Sequence, residues 1–157
     1  MIYFRNEVPG IGVDSRALIA TAKKLLAAIG EPEASLSLSL VSDGAIRELN
    51  RAHRGKDSAT DVLSFSLGAG CETSGLAYSD PPERMLGDVV ISVDTARRQA
   101  ADYDATLQDE LYRLLIHGVL HVVGHDHERK IERANMEREE RRLAEAIALL
   151  WPYEGVR

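Results

Sequence analysis

Leu111-Tyr112-Arg113-Leu114-Leu115-Ile116-His117-Gly118-Val119-Leu120-His121-Val122-Val123-Gly124-His125-Asp126-His127 is the stretch that organises the chain. Four of the five histidines fall in its last eleven residues. Leu111, Leu114, Leu115, Val119 and Val122 recur at the three- and four-residue spacing of a buried helix face. A helix turns about 100° per residue, so His117 and His121 lie roughly 40° apart around the axis and about 6 Å apart along it. Two imidazoles so placed reach one metal ion. Gly124 tolerates the left-handed backbone that ends a helix and turns the chain back, which lets His127 approach as a third ligand. His125 competes for that place, since a helix continued through Gly124 would carry it near the same face one turn on. The glycine breaks that register and favours His127. A lone histidine on an apolar helix face is ordinarily a core residue; two at helical spacing, a helix-ending glycine and a third histidine just beyond make a metal site. Three neutral nitrogens suit one zinc ion and leave a coordination position for water or substrate.

These residues resemble the metal motif of the YbeY family of bacterial endoribonucleases, His-Gly-x-Leu-His-x-x-Gly-aromatic-Asp-His. The match holds at His117, Gly118, Leu120, His121, Gly124, Asp126 and His127, and departs at His125, where the family has an aromatic residue. The resemblance implies zinc ligation by His117, His121 and His127. It leaves His125 as a group behind the ligands, a proton carrier or a spare ligand. A different zinc motif, the His-Glu-x-x-His of metalloproteases, needs a glutamate directly after the first histidine as general base. Gly118 stands there, so ordinary zinc-protease chemistry lacks its base.

Working outward, the preceding segment resembles a capping box at Thr106 and Asp109, with acid in the first turn of the metal helix. Leu86 to Val93 reads as a strand, and its Leu86-Gly87-Asp88-Val89-Val90-Ile91 resembles a Leu-Gly-Asp-apolar-x-Ile segment of the same family. Asp94 is positioned to cap a short helix running to about Tyr103. Val62 to Leu67 reads as another strand. Between these two strands, Gly68 to Met85 is rich in Gly, Ser and Pro and holds Cys71, either a cover near the site or an insertion. Cys71 as a zinc ligand would close the site, but a lone loop cysteine is ordinarily incidental.

Further back, Ser42-Asp43-Gly44 is a turn able to cap a helix through Ile46 and Leu49 to about His53. It ends in the basic run Arg51-Ala52-His53-Arg54-Gly55-Lys56-Asp57. Composition alone reads such a run as a solvated helix end favoured by the helix dipole. Leu49 to Phe65, however, looks like a second signature of the family, in which an arginine at the position of Arg54 is functionally important and meets RNA phosphate; Arg51 and Lys56 are the neighbouring candidates for RNA contact. The three signatures run in order from residue 36 to 127. Ser35 to Val41 alternates Ser and Leu at the period of a strand, with an edge position possible. Asp14 or Ser15 caps a helix through Leu18, Ala22, Leu25, Leu26 and Ile29, stopped by Gly30 and Pro32. Ile2 to Phe4 is a short strand. After the metal motif, Glu128 to Leu150 is a charged helix with Ile131, Ala134, Leu143, Ala146, Ile147 and Leu150 at helical spacing, and Arg129 to Arg142 reads as a solvated face. Trp151-Pro152-Tyr153 ends it. The expected fold is α+β: a small mixed sheet of about four strands packed with about five helices, the zinc site at the end of a central helix.

At 157 residues with 45% apolar content, residues 1–157 make one domain with a proper core. A single cysteine excludes an internal disulfide framework. No apolar run approaches the roughly 18 residues of a membrane span, and the N-terminus has no signal-peptide pattern, so a cytoplasmic protein without membrane contact is expected. A net charge of −6 argues against a general polyanion binder and makes any nucleic-acid contact local.

Zinc held by three imidazoles keeps its full charge, lowers the pKa of bound water toward ~7 and polarises a phosphoryl oxygen. Arg54 supplies a cation for the charge gathering on the phosphate. Asp126 fits an acceptor that orients a ligating imidazole, with general base as the weaker alternative. An RNA substrate can also use its own 2′-hydroxyl as nucleophile. The resemblance therefore implies a zinc-dependent, single-strand-preferring endoribonuclease in ribosomal RNA maturation, including the 3′ end of the small-subunit RNA, and in ribosome quality control. Two other readings stand beside it: a ribosome-assembly binding factor with structural zinc, and a zinc hydrolase of some small substrate.

Overall fold

The computed structural model describes residues 1–67, 84–124 and 130–150. Along these, β1 (Ile2–Asn6), α1 (Ser15–Ala28), β2 (Ser35–Val41), α2 (Asp43–Arg54), β3 (Val62–Ser66), β4 (Met85–Ser92), α3 (Val93–Asp102), α4 (Leu107–Val122) and α5 (Lys130–Ala146) follow in order. The four strands form one mixed sheet in the order β1-β2-β4-β3. β1 and β4 run parallel to β2, while β3 is antiparallel to β4. This is the expected α+β architecture. The 68–83 segment with Cys71, and Trp151-Pro152-Tyr153, lie outside the described residues.

The alternating Ser-Leu pattern of β2 builds the sheet from its middle. Leu38 stands beside Val89 and Leu40 beside Ile91, turning one row of apolar side chains to α1 and α4. The opposite face carries Val41, Leu63 and Val90, which pack with Ile46 and Leu49 of α2. β2 is not the edge strand its sequence allowed. It pairs on both sides, which explains why Ser35 is fully buried along with the leucines; β1 and β3 are the edges.

Helix termini follow the local chemistry of their caps. Asp14 caps α1 through the Ala17 amide, Ser42 caps α2 through Ala45, and Thr106 caps α4 through Asp109. For α3 the cap is Ser92, which accepts from the Thr95 amide, rather than Asp94. Asp94 accepts instead from the Asp43 amide at the start of α2, 2.8 Å away. Asp43 in turn accepts from Ser92 Oγ, Thr95 Oγ1 and Arg98. Two helix N-termini are thereby locked to each other.

The C-terminal helix keeps only part of the expected face. Leu143 is buried and Ile147 packs against the core as expected, but Ala134 and Ala146 are exposed and Leu150 is 84% exposed, while Met136 and Ala144 are buried in their place. Arg133, Glu137, Arg138 and Arg141 stay in solvent as expected, but Glu140 turns inward. The reason is register: positions 136, 140, 143 and 144 share one helical stripe, and Met136 has the longest apolar side chain to set it against the core.

The metal-motif helix α4 lies directly on β3 and β4. A Cβ at Gly118 would stand 2.6 Å from Val89 Cγ1 and 3.3 Å from Ser64 Oγ. Glycine is required there by close approach, and Val89 is too stiff at its branched carbon to yield cheaply. Gly118→Ala therefore loses stability: an overpacking cost of about 1–3 kcal/mol exceeds the helix-propensity gain of at most ~1 kcal/mol. Urea unfolding should place it below the parent by up to about 2 kcal/mol; a variant more stable than the parent would mean that α4 retreats freely from the sheet.

Asp43 gives a pH expectation. Burial pushes its carboxyl up, but hydrogen bonds from Ser92, Thr95 and Arg98 and the Arg98 charge outweigh this and hold it below the ordinary carboxylate value. A folded pKa below the unfolded one adds stability that is present above the unfolded pKa and lost as pH falls through the folded one. Acid unfolding below the usual carboxylate range should be shallower in Asp43→Asn than in the parent, followed by circular dichroism; identical acid curves would exclude Asp43 as a contributor.

Candidate active site

The site is assembled on β3, whose residues alternate between two helices. Leu63 packs toward α2, while Ser64 and Ser66 face α4. Ser64 Oγ donates to the Gly118 carbonyl at 3.0 Å, and Ser66 Oγ to the Val122 carbonyl at 2.9 Å. Those two carbonyls are one turn apart, so the pair of hydroxyls holds the last turn of α4 parallel to the strand. On the other side, the Ser64 carbonyl accepts from Arg54 Nη2 at 2.8 Å. One residue thus links the arginine to the histidine helix.

His117 and His121 emerge from that helix as their spacing predicts. Their Nε2 atoms converge to 3.0 Å. Two nitrogens at ~2.0–2.1 Å from a tetrahedral zinc stand roughly 3.3 Å apart, so this donor pair fits one metal ion with little movement. The far side of His117 points to α5, with Nδ1 3.8 Å from Glu140 Oε2, and both side chains are mostly buried, at 16% and 14% exposure. Gly124 follows with φ of +100°, the left-handed backbone expected of a helix stop. His125, Asp126 and His127 lie outside the described residues. Among the described residues no third metal-binding side chain joins the pair.

A cleft of about 500 Å³ opens at the two imidazoles, with Arg54, Lys56, Asp61 and Ser64 also on its walls. Arg54 is the last residue of α2, which Gly55 ends in the left-handed conformation. Its guanidinium carbon lies 5.7 Å from the centre of the Phe65 ring, and the His53 ring meets the same phenyl edge-on at 5.3 Å. Hydrogen bond and ring contact together fix the arginine's direction. Of the three basic candidates, Arg54 and Lys56 line the cleft, whereas Arg51 does not and is ion-paired with Glu48 at 2.6 Å.

Sequence reasoning missed the support behind the cleft. Glu110 and Arg113 are 0% and 1% exposed and form a two-point ion pair on α4, one turn before His117. Arg113 Nη2 donates to Gln99 Oε1 at 3.2 Å, and Gln99 Nε2 donates to Asp61 Oδ2 at 3.3 Å. The other Asp61 oxygen accepts the Val62 amide at 2.8 Å. The cleft wall before β3 is therefore tied through α3 to the metal-motif helix. Asn50, buried on α2, adds a bond to the Ser58 carbonyl at 2.9 Å. A Glu and an Arg three apart on an otherwise apolar helix are the visible signal of the first pair. The partners Gln99 and Asp61 carry no such mark.

Comparison with known proteins follows the same residues. The family model for Endoribonuclease YbeY matches residues 4–148. An Endoribonuclease YbeY of Myxococcus xanthus is 52% identical over 121 residues, covering 76% of this chain and 39% of the relative. One from an Anaeromyxobacter species is 46% identical over 138 residues, covering 87% and 66%. The matched region thus spans less than two thirds of either relative's length. A solution structure of a Thermotoga maritima protein, 28% identical, superposes with a TM-score of 0.61 over 94% of this chain and 89% of that one. With the two histidines, the Ser64 bridge and Arg54 falling inside the matched region, the chain belongs to the YbeY family of endoribonucleases.

Proposed function

We propose that this protein is a zinc-dependent endoribonuclease that prefers single-stranded RNA, with residues 1–157 acting as one domain. Its place is in the cytoplasm, in ribosomal RNA maturation at the 3′ end of the small-subunit RNA and in ribosome quality control. The observation that carries the reading is the convergence of His117 and His121 Nε2 at 3.0 Å in a cleft that Arg54 also lines. The names of the relatives point to the same activity. Among the described residues no helix is long and apolar enough to cross a membrane.

His117, His121 and His127 would hold the zinc, and Asp126 would serve to orient a ligating imidazole. When bound, zinc supplies a Lewis acid for a phosphoryl oxygen and makes water acidic enough to attack near neutral pH. The chain's own residues do the rest. Arg54 carries five N–H donors. Its bond to the Ser64 carbonyl sets their direction before RNA arrives, so little reorganisation is needed as charge gathers on the phosphate. Lys56 adds positive charge on the same wall. These two cations give an acidic chain the local contact that a phosphodiester needs. Asp61 keeps its carboxylate on Gln99 and the Val62 amide, which fixes the wall facing the imidazoles.

The decisive experiment is cleavage of a labelled single-stranded RNA by wild type and His121→Ala purified side by side. Wild type should cleave, lose activity to a chelator and regain it with zinc, while His121→Ala loses both zinc and cleavage. Equal cleavage by the two would overturn the reading.

Arg54→Ala separates binding from folding. It should keep zinc and the parent's melting temperature while cleavage falls by about 10²–10³-fold, the usual loss for one donor to transition-state charge. An unfolded variant, or unchanged cleavage, would make the arginine structural.

A further inference from the structure

The metal reading of His117 and His121 accounts for one edge of each ring and leaves the other edge of His117 to be explained. An imidazole that offers its Nε2 lone pair to a cation while remaining neutral carries its proton on Nδ1. A buried N–H needs an acceptor, because leaving it without one costs its full desolvation. Nδ1 of His117 faces Glu140 Oε2 at 3.8 Å across the α4–α5 contact.

Glu140 is set apart from the other acids of α5. Glu139, its neighbour, is bonded to Arg142 at 2.7 Å, and Glu137 is exposed. Glu140 instead sits on the stripe of Met136, Leu143 and Ala144, all buried, with its own side chain 14% exposed. Position 140 divides the two apolar halves of that stripe. An apolar residue there would bury more hydrophobic surface, so a carboxylate at this place is a polar group held against the core. The gap from 3.8 Å to a charge-assisted hydrogen bond of about 2.8 Å is within the swing of a glutamate's terminal torsions.

We propose that Glu140 is a positioning residue for His117: its carboxylate accepts a hydrogen bond from Nδ1–H, fixes the ring in the tautomer that turns Nε2 toward the cation, and makes that nitrogen a stronger donor. This rests on the metal reading above. It also gives α5 a part in the site, because the helix supplies the group that orients a ligand on α4. Partners of this kind change metal affinity by about 10–100-fold.

The test is zinc affinity of the full chain, measured by competition with a chromogenic chelator, for wild type, Glu140→Ala, Glu140→Gln and His121→Ala. Nitrogen-15 NMR of zinc-loaded protein reports the His117 tautomer. Glu140→Ala should bind zinc about 10–100-fold more weakly. The isosteric Glu140→Gln, whose amide oxygen still accepts the N–H, should keep the Nδ1–H tautomer and lose less affinity, with the melting temperature of the zinc-free protein unchanged. A merely structural glutamate would move the melting temperature and leave affinity and tautomer alone. If Glu140→Ala fails to fold, the glutamine variant decides. Zinc affinity equal to wild type in the glutamate variants, with His121→Ala defective, would overturn the role of Glu140 and leave the metal site standing. A wild type that binds no zinc would overturn the metal reading itself, and this inference with it.

Discussion

The seating of α4 on β3 and β4 at Gly118 is the constraint on which the site depends. A side chain there would meet Val89 and Ser64, so its absence brings the helix axis close enough for Ser64 to bond the Gly118 carbonyl. The Gly118 carbonyl already belongs to the helix ladder, so the second donor there adds direction rather than rescuing an unpaired group. Val122 is the last residue of α4, and a carbonyl at a helix end has no donor further along the helix; Ser66 supplies one. The two points define both the tilt and the rotation of the last helical turn. The imidazoles converge because that turn is fixed.

The same strand explains how two distant signatures act together. Because side chains alternate along β3, Ser64 presents its hydroxyl to α4 while its carbonyl, at the sheet edge, remains available to Arg54. An interior strand would have spent that carbonyl on a neighbour. Being an edge is usually a liability for a strand; here the unpaired side receives the arginine. The buried Glu110–Arg113 pair reinforces the assembly from behind. A pair of this kind is weak as a source of net stability, since desolvation offsets most of the attraction. Its continuation through Gln99 to Asp61 ties α4, α3 and the cleft wall into one register.

Much of this was legible in the residues because it is local. The Ser-Leu alternation of 35–41, the apolar face of 111–122 and the caps at Asp14, Ser42 and Thr106 need only the geometry of one element. What was hidden depends on two elements meeting. Whether Ser92 or Asp94 caps α3 is decided by Asp43 arriving from α2 and drawing Asp94 away. The central place of β2 depends on β1 and β4 pairing on its two sides. Glu140 looked like one more charge in a charged run, since inward and outward acids share a spelling until the helix has a neighbour. The basic run divides likewise: Arg54 enters the cleft, while Arg51, one turn back, turns to Glu48.

The contact at Gly118 also decides which chemistry the metal motif can host. In the metalloprotease pattern the residue after the first histidine is a glutamate whose carboxylate serves as base. That side chain would need the space filled by Val89 and Ser64, against a Cβ that already stands 2.6 Å from its nearest neighbour. The absence of a glutamate is thus a packing requirement of this fold, and no substitution at 118 alone converts one chemistry into the other. A base, where one is needed, must come from another element or from the substrate. RNA carries its own nucleophile in the 2′-hydroxyl. Among the described residues, a site that offers two imidazoles and an arginine fixed in advance, with glycine rather than glutamate directly after the first histidine, suits a substrate that brings part of the reaction with it.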